Sequence, residues 1–432
     1  MKSVNIGIIG LGTIGRGVYS AIKSNGSLIA KKTGVVLKVK SVCDTDKKAL
    51  KSIKDKTVAK QFSADAILLD KDIDIVVELI GGVNPAKKII LSALENKKHI
   101  VTANKELISK HWKPIFDVAV RNNLFVNFEA SVGGAIPVIR VIQKSFIADD
   151  ISTIYGILNG TTNFILTEIL EKACAFKTAL KSAQQKGIAE KNPELDISGK
   201  DSAHKLAILS LLAFGRYVPP GNIYTEGISM IEAQDLSNAG KWGYSIKLLA
   251  IAKKDGGLLQ LRVHPTLLKA THLLSGVSGT NNAIFVKGNL VGESLLLGKG
   301  AGSKPTSTSV LGDIVEIARQ IAFVSKRNTL PYNLDYAREE KNIKKIEELE
   351  VPFYTRFSVI DRPGVLASIS SILAKNSISI ANVSQEERKE GKTVPVVILT
   401  HKAKEGNMRK AIAKINAMDY VTKKTVVIRI EE

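Results

Sequence analysis

Two groups of residues in this chain have the types and spacing that chemistry needs. Gly10-Leu11-Gly12-Thr13-Ile14-Gly15 matches G-x-G-x-x-G, follows the apolar run Val4–Ile9 and opens an amphipathic stretch to about Lys23. In that setting Gly10 permits a tight turn, Gly12 lets the backbone approach a pyrophosphate, and Gly15 lets a helix close on its strand. The helix N-terminus, with Thr13 and Ile14 in its first turn, then offers free N–H groups to phosphates. The second group runs from Gly187-Ile188-Ala189-Glu190 through Asp196 to Lys205. Asp201 and Lys205 stand four apart at the start of an apolar-striped helix and so share a face. A surface ion pair would account for those two, but not for the glycines and acids crowded just ahead. Hydride transfer to a carbonyl needs a proton donor at the developing alkoxide, and a desolvated lysine can serve. An amino-acid substrate also needs carboxylates for its ammonium group. Together the groups point to an NAD(P)-dependent dehydrogenase of a small amino-acid-like substrate.

Asp44 closes the next apolar run, Val36–Cys43, 29 residues after Gly15. A carboxylate there can bind the ribose 2′-OH, which favours NAD. The interval is longer than usual, and the loop around Lys31–Gly34 can absorb the excess. Lys47, Lys48 and Lys51 are close enough to meet a 2′-phosphate instead, and Asp44-Thr45-Asp46 also suits a plain turn. NAD and NADP both stay open, with a lean to NAD.

These residues need elements to position them. Val4–Ile9, Val36–Cys43, Ile73–Ile80, His99–Thr102 and Leu124–Phe128 read as strands alternating with helices, a Rossmann-type parallel sheet covered on both faces. This α/β dinucleotide-binding domain is expected over residues 1–130, with the helix 306–325 packing back on it. Residues 131–305 read as an α+β substrate-binding and dimerisation domain. There Ile151–Leu158 and Leu258–Val263 read as strands. Asn163–Leu170, Ala173–Gln185, Asp201–Phe214 and Ile246–Ala252 read as helices. Residues 326–350 are a charged linker. Residues 351–432 follow the order strand-helix-strand-strand-helix-strand, a ferredoxin-like unit.

Composition excludes several classes. Two cysteines, Cys43 and Cys174, cannot build a disulfide framework or a structural zinc site. The net charge of +21 comes mostly from lysines spread thinly along the chain, a solvated surface without the basic helix or arginine-rich arm of a nucleic-acid binder. No apolar stretch approaches a membrane span, and the N-terminus lacks the features of a signal peptide, so a cytoplasmic protein is expected, with no nucleic-acid or membrane partner.

The sequence closely resembles homoserine dehydrogenases. The segments that carry the likeness are Gly10–Gly15, Thr102–Lys105, Glu129–Pro137, Gly156–Asn163, Gly187–Lys205 and Gly298–Thr306, in the family's order over about residues 1–325. The resemblance implies reversible interconversion of L-aspartate 4-semialdehyde and L-homoserine, in threonine, methionine and isoleucine biosynthesis. It implies Lys205 as proton donor and acceptor, Glu190 and Asp201 on the substrate's polar groups, and Lys105 as a second active-site lysine near cofactor and substrate. Asn159 and Thr161 would shape the pocket, while Gly187 and Gly302 would contact the cofactor. Glu129, Val132, Gly134 and Ile136 match positions that hold a sodium ion in the family, though the same glycines suit a tight turn. Lys200 and Lys304 put charge where the family usually carries less polar residues. Residues 357–367 and 378–385 resemble an ACT domain, whose effector, by pathway logic L-threonine, would meet Asp361, Gly364 and Asn382. A homodimer or homotetramer is implied as well. Two other readings compete: a dinucleotide-dependent sensor without turnover, which would need no Asp201/Lys205 pair, and a thioester-forming dehydrogenase, which would need a catalytic cysteine. Cys174 is expected inside an amphipathic helix.

Overall fold

The computed structural model describes residues 1–323, 338–385 and 391–431. The chain forms two compact units, one of Met1–Ile151, His204–Asn222 and Asn282–Glu340, the other of Ser152–Ala203, Ile223–Asn281 and Lys341–Glu432.

In the first unit, β1 (Lys2–Ile9), β2 (Val35–Cys43), β3 (Ala59–Gln61), β4 (Ile75–Glu78), β5 (His99–Thr102) and β6 (Val126–Asn127) form a parallel sheet in the order β3-β2-β1-β4-β5-β6. That order is the doubly wound one, with a ligand crevice at the carboxyl ends where it reverses beside β1. The inner strands β4 and β5 are buried along their whole length because helices cover both faces. The helix Ser303–Phe323 returns to this core, and its Val310, Ile314, Ile317 and Ala318 share a cluster with Val4, Ile6, Val18 and Val42. The hairpin Asn281–Gly288 and Gly292–Lys299, which follows no simple alternation in the sequence, escapes the sequence reading.

The second unit is built on a mixed sheet. Its strands run in the order Ile151–Ile157, Tyr244–Asp255, Leu258–Lys269, Val421–Glu431, Phe353–Ile360, Thr393–Thr400, Ile380–Ser384. The last four, with the helices Val365–Lys375 and Glu405–Asn416, make the ferredoxin-like unit. Its final strand pairs in parallel with Leu258–Lys269, Arg429 opposite Thr266, so the two sheets are one. Residues 326–337 of the expected linker lie outside the described residues, and Asn342 and Lys344 bond the backbone of Leu259.

Ile246–Ala252 is a strand, not the helix expected. It is the middle of Tyr244–Asp255, paired on one side with Gly156 and on the other with Val263 through Ala250. A strand buried on both faces has no alternation to display, so its apolar run reads equally as a helix. Lys247 completes the disguise: its Nζ donates to the Val277 carbonyl at 2.6 Å, and burial lowers its pKa to about 8. Cys174 is likewise not within a helix. Ala173 adopts a left-handed conformation, φ 48°, that ends one helix at Lys172, and the next begins at Phe176. Burial pushes the Cys43 thiol up to about 11, away from nucleophilic use.

Arg356, in the strand Phe353–Ile360, is buried and meets Asp235 of the helix Ala233–Lys241 through Nε at 2.6 Å and Nη2 at 3.0 Å. The Tyr354 hydroxyl donates to the same carboxylate at 2.8 Å. Asp235→Ala would strand both donors, with Glu232, 3.2 Å from Arg356, as partial compensation. Unfolding free energy, read from a urea titration of the full chain, should fall by about 3–5 kcal/mol.

Candidate active site

The glycine-rich loop sits at the carboxyl end of β1. Gly10 has φ +98°, and a side chain there would press within 2.7 Å of the Leu79 carbonyl. A methyl group on Gly15 would overlap the carbonyl oxygen of Gly10, so the helix Thr13–Thr33 starts as close to β1 as backbones allow. Gly12 faces open space, and no side chain caps the helix whose N-cap it is. Thr13 and Ile14 thus open a helix with free N–H groups beside room for a pyrophosphate, which fits a dinucleotide. Gly302, φ +116°, precedes Ser303, whose hydroxyl donates to the Thr13 carbonyl at 3.0 Å. Gly302 and the glycine loop are therefore neighbours.

Asp44 is tied to this loop. One carboxylate oxygen accepts from the Leu11 N–H at 2.6 Å, the other from the Asp46 N–H at 2.8 Å. Lys47 and Lys48 stand exposed just beyond.

Lys105 opens the helix Lys105–Arg121 at the carboxyl end of β5. Its setting is rigid. The Asn104 carboxamide caps that helix through the Leu107 N–H and donates to the Gly82 carbonyl, while the Thr102 hydroxyl donates to buried Glu78 at 2.7 Å. Lys205 is 8 % exposed on the helix Lys200–Phe214. Its neighbour His204 meets the Ser109 hydroxyl at 2.7 Å through Nδ1, and the Tyr217 hydroxyl donates to the Ser109 carbonyl at 2.9 Å. The helices that carry the two lysines are thus tied directly. Glu78, Ser109 and His204 were missed in the sequence, because each gains meaning only from a partner far along the chain.

In the second unit, Asn159 caps the helix Gly160–Lys172 through the Thr162 N–H and turns its Nδ2 to two acids, Asp196 at 2.7 Å and Asp201 at 2.8 Å. Asp196, named above only as part of the acid-rich segment, is thus brought beside Asp201. Thr161 donates to the Ile188 carbonyl at 3.0 Å, fixing the segment between Gly187, which has φ +68°, and exposed Glu190.

Glu129 is buried, and its carboxylate accepts the N–H groups of Ile139 and Arg140, each at 2.8 Å. Burial raises its pKa and pushes neighbouring Asp313 well above the usual carboxylate range. The Gly134 carbonyl already accepts from Ser309, and that of Ile136 from the Val138 N–H. The oxygens of Glu129, Gly134 and Ile136 thus all carry backbone or hydroxyl donors, which holds the turn in place. Among the described residues, no group of three His, Cys, Asp or Glu could hold a metal ion.

In the ferredoxin-like unit, Gly364, φ +90°, caps the helix Val365–Lys375. Asp361 sits in the loop before it and receives Gln385 Nε2 at 3.4 Å, while Asn382 is exposed on the strand Ile380–Ser384.

Comparison with known proteins follows this layout. The chain matches the NAD-binding domain of homoserine dehydrogenase over residues 10–129, the homoserine dehydrogenase family over 137–315, and the ACT domain over 353–417. It is 40 % identical to a homoserine dehydrogenase of Neisseria gonorrhoeae, covering 100 % of this chain and 99 % of that one. The chain belongs to the homoserine dehydrogenase family. Like its relatives it is an NAD(P)-dependent oxidoreductase with an ACT domain. A homoserine dehydrogenase structure from Thiobacillus denitrificans superimposes with a TM-score of 0.93 at 39 % identity, over 100 % of this chain and 99 % of that one. A hyperthermophilic archaeal homoserine dehydrogenase in complex with NADPH matches 74 % of this chain and 98 % of its own, with a TM-score of 0.62 at 28 % identity. Among the described residues, no helix is long and apolar enough to cross a membrane.

Gly15→Ala forces the helix off β1. NAD(P)H affinity, followed by the cofactor's fluorescence, should fall at least about tenfold. Unchanged affinity would show that the close approach is dispensable.

Proposed function

We propose that this enzyme interconverts L-aspartate 4-semialdehyde and L-homoserine, in threonine, methionine and isoleucine biosynthesis. The observation that carries this reading is Lys205, nearly fully buried four residues after Asp201 on one helix, with Asp201 held by Asn159. When bound, the nicotinamide supplies or takes up the hydride. Lys205 gives its proton to the oxygen of the semialdehyde as C=O becomes C–OH, and takes it back in the reverse direction. Asp201 and Glu190 bind the polar groups of the amino acid, Asn159 and Thr161 shape their surroundings, and Lys105 serves as the second lysine.

Gly10, Gly12, Thr13, Ile14 and Gly15 hold the pyrophosphate, with Gly187 and Gly302 as backbone contacts. The ribose end belongs to Asp44 if NADH turns over faster and to Lys47 and Lys48 if NADPH does. Glu129, Val132, Gly134 and Ile136 would hold a sodium ion that stiffens this turn. In this reading residues 1–130 with the helix Ser303–Phe323 serve the cofactor, 131–305 the substrate and subunit pairing in a homodimer or homotetramer, and 351–432 the effector.

L-Threonine is the effector we infer, at Asp361, Gly364 and Asn382. Removing residues 351–432 would not test this cleanly, because it strips the strand Val421–Glu431 from the shared sheet. Asp361→Ala should instead raise the threonine concentration for half inhibition about tenfold, with kcat kept. Inhibition at the wild-type concentration would move the effector elsewhere.

Lys205→Ala should lower kcat by roughly 10²–10⁴-fold with cofactor affinity retained. Steady-state oxidation of NADH or NADPH by aspartate 4-semialdehyde reads this directly. Turnover like the wild type would remove Lys205 from the proton transfer.

A further inference from the structure

The turn that carries Asp196 and Asp201 is braced from the C-terminal domain. Arg429, on the strand Val421–Glu431, is 2 % exposed. It donates from Nε to Glu405 at 2.8 Å, and from Nη1 and Nη2 to the two carboxylate oxygens of Glu226 at 2.6 and 3.1 Å. The Tyr224 hydroxyl donates to the same Glu226 carboxylate, and Tyr224 lies under Arg409 and Arg429, each 5.2 Å from its ring.

The segment after Glu226 lies against the substrate turn. A side chain on Gly227 would collide with the backbone of Ile197 and Ser198, and the Ile228 N–H donates to the Ile197 carbonyl at 3.0 Å. Gly199, φ +83°, is crowded by Thr225 and Val263 at 3.0 and 3.1 Å from where its Cβ would be, and by the Glu226 carbonyl at 3.3 Å. Asp196 and Asp201 flank that glycine, and both accept from Asn159. Backbone packed without intervening side chains transmits small displacements directly, since there is no soft group to absorb them.

We propose that Glu226, clamped by Arg429, is a positioning residue that sets the turn Asp196–Asp201 for substrate. This rests on the assignment of Asp201 to the substrate. The Glu226 side chain is 37 % exposed, so its ion pair alone adds modest stability, whereas its backbone neighbours bear on the turn.

The test is steady-state kinetics of full-length Glu226→Gln, with thermal unfolding alongside. The KM for homoserine should rise about five- to twentyfold, with the KM for NAD(P)⁺ unchanged and kcat within about twofold. Tyr224→Phe, which removes one of the two donors on that oxygen of Glu226, should raise the homoserine KM in the same direction by less, and it decides the matter if Glu226→Gln does not fold. A lowered Tm with an unmoved homoserine KM, or equal rises for both substrates, would overturn the proposal. Wild-type turnover with homoserine separates the two levels: without it the substrate assignment falls and the positioning role with it, while turnover with unmoved KM values removes the positioning role alone.

Discussion

A guanidinium stays charged at any ordinary pH, so burying one obliges the fold to supply a carboxylate beside it. The mixed sheet buries three: Arg262, Arg356 and Arg429 are 3 %, 2 % and 2 % exposed. Arg262 meets Glu431, Arg356 meets Asp235, and Arg429 meets both Glu226 and Glu405. Glu431 takes Lys253 at 2.6 Å and the Tyr155 hydroxyl at 3.0 Å as well. Three of these pairs, Arg262–Glu431, Asp235–Arg356 and Glu226–Arg429, join the middle of the chain to its last eighty residues. None can form unless both segments are in register, because a slip of one residue would turn each charge to the other face. The buried charges therefore select one alignment of the ACT strands on the substrate sheet.

The first unit solves its problem with shape instead of charge. Gly10 and Gly15 let a helix begin where a larger residue would hold it away, and Asp44 pins the turn by accepting the Leu11 N–H. Lys105 and Lys205 take their placement from elements tied by His204 and Ser109. Long side chains gain little precision by themselves, since each carries rotamer freedom that must be removed by its surroundings. Here the removal is done by helix starts and buried hydrogen bonds.

Much of this was legible in the sequence. The glycine motif, the strands β1, β2, β4, β5 and β6, and the strand order of the C-terminal unit follow from local spacing, which the chain displays directly. The clustering of acids before Lys205 likewise marked a segment that the fold gathers, with Asp196 and Asp201 meeting on Asn159. What stayed hidden depends on partners distant in sequence. Ile246–Ala252 shows no alternation because neighbours on both sides bury it. Ala59–Gln61 is too short and too polar to announce a strand. Glu226 and His204 look like ordinary surface residues until Arg429 and Ser109 arrive beside them.

The parallel pairing of Val421–Glu431 with Leu258–Lys269 has a consequence for how the chain tolerates loss of its end. Around Thr266–Leu268 the backbone satisfies its hydrogen bonds through Arg429–Glu431, in a stretch that is buried and apolar. A chain cut short by proteolysis or early termination would present that row of N–H and C=O groups as a naked edge, the template on which foreign strands add and aggregates grow. The C-terminal strand is thus also the protein's own protection against sticking to its copies.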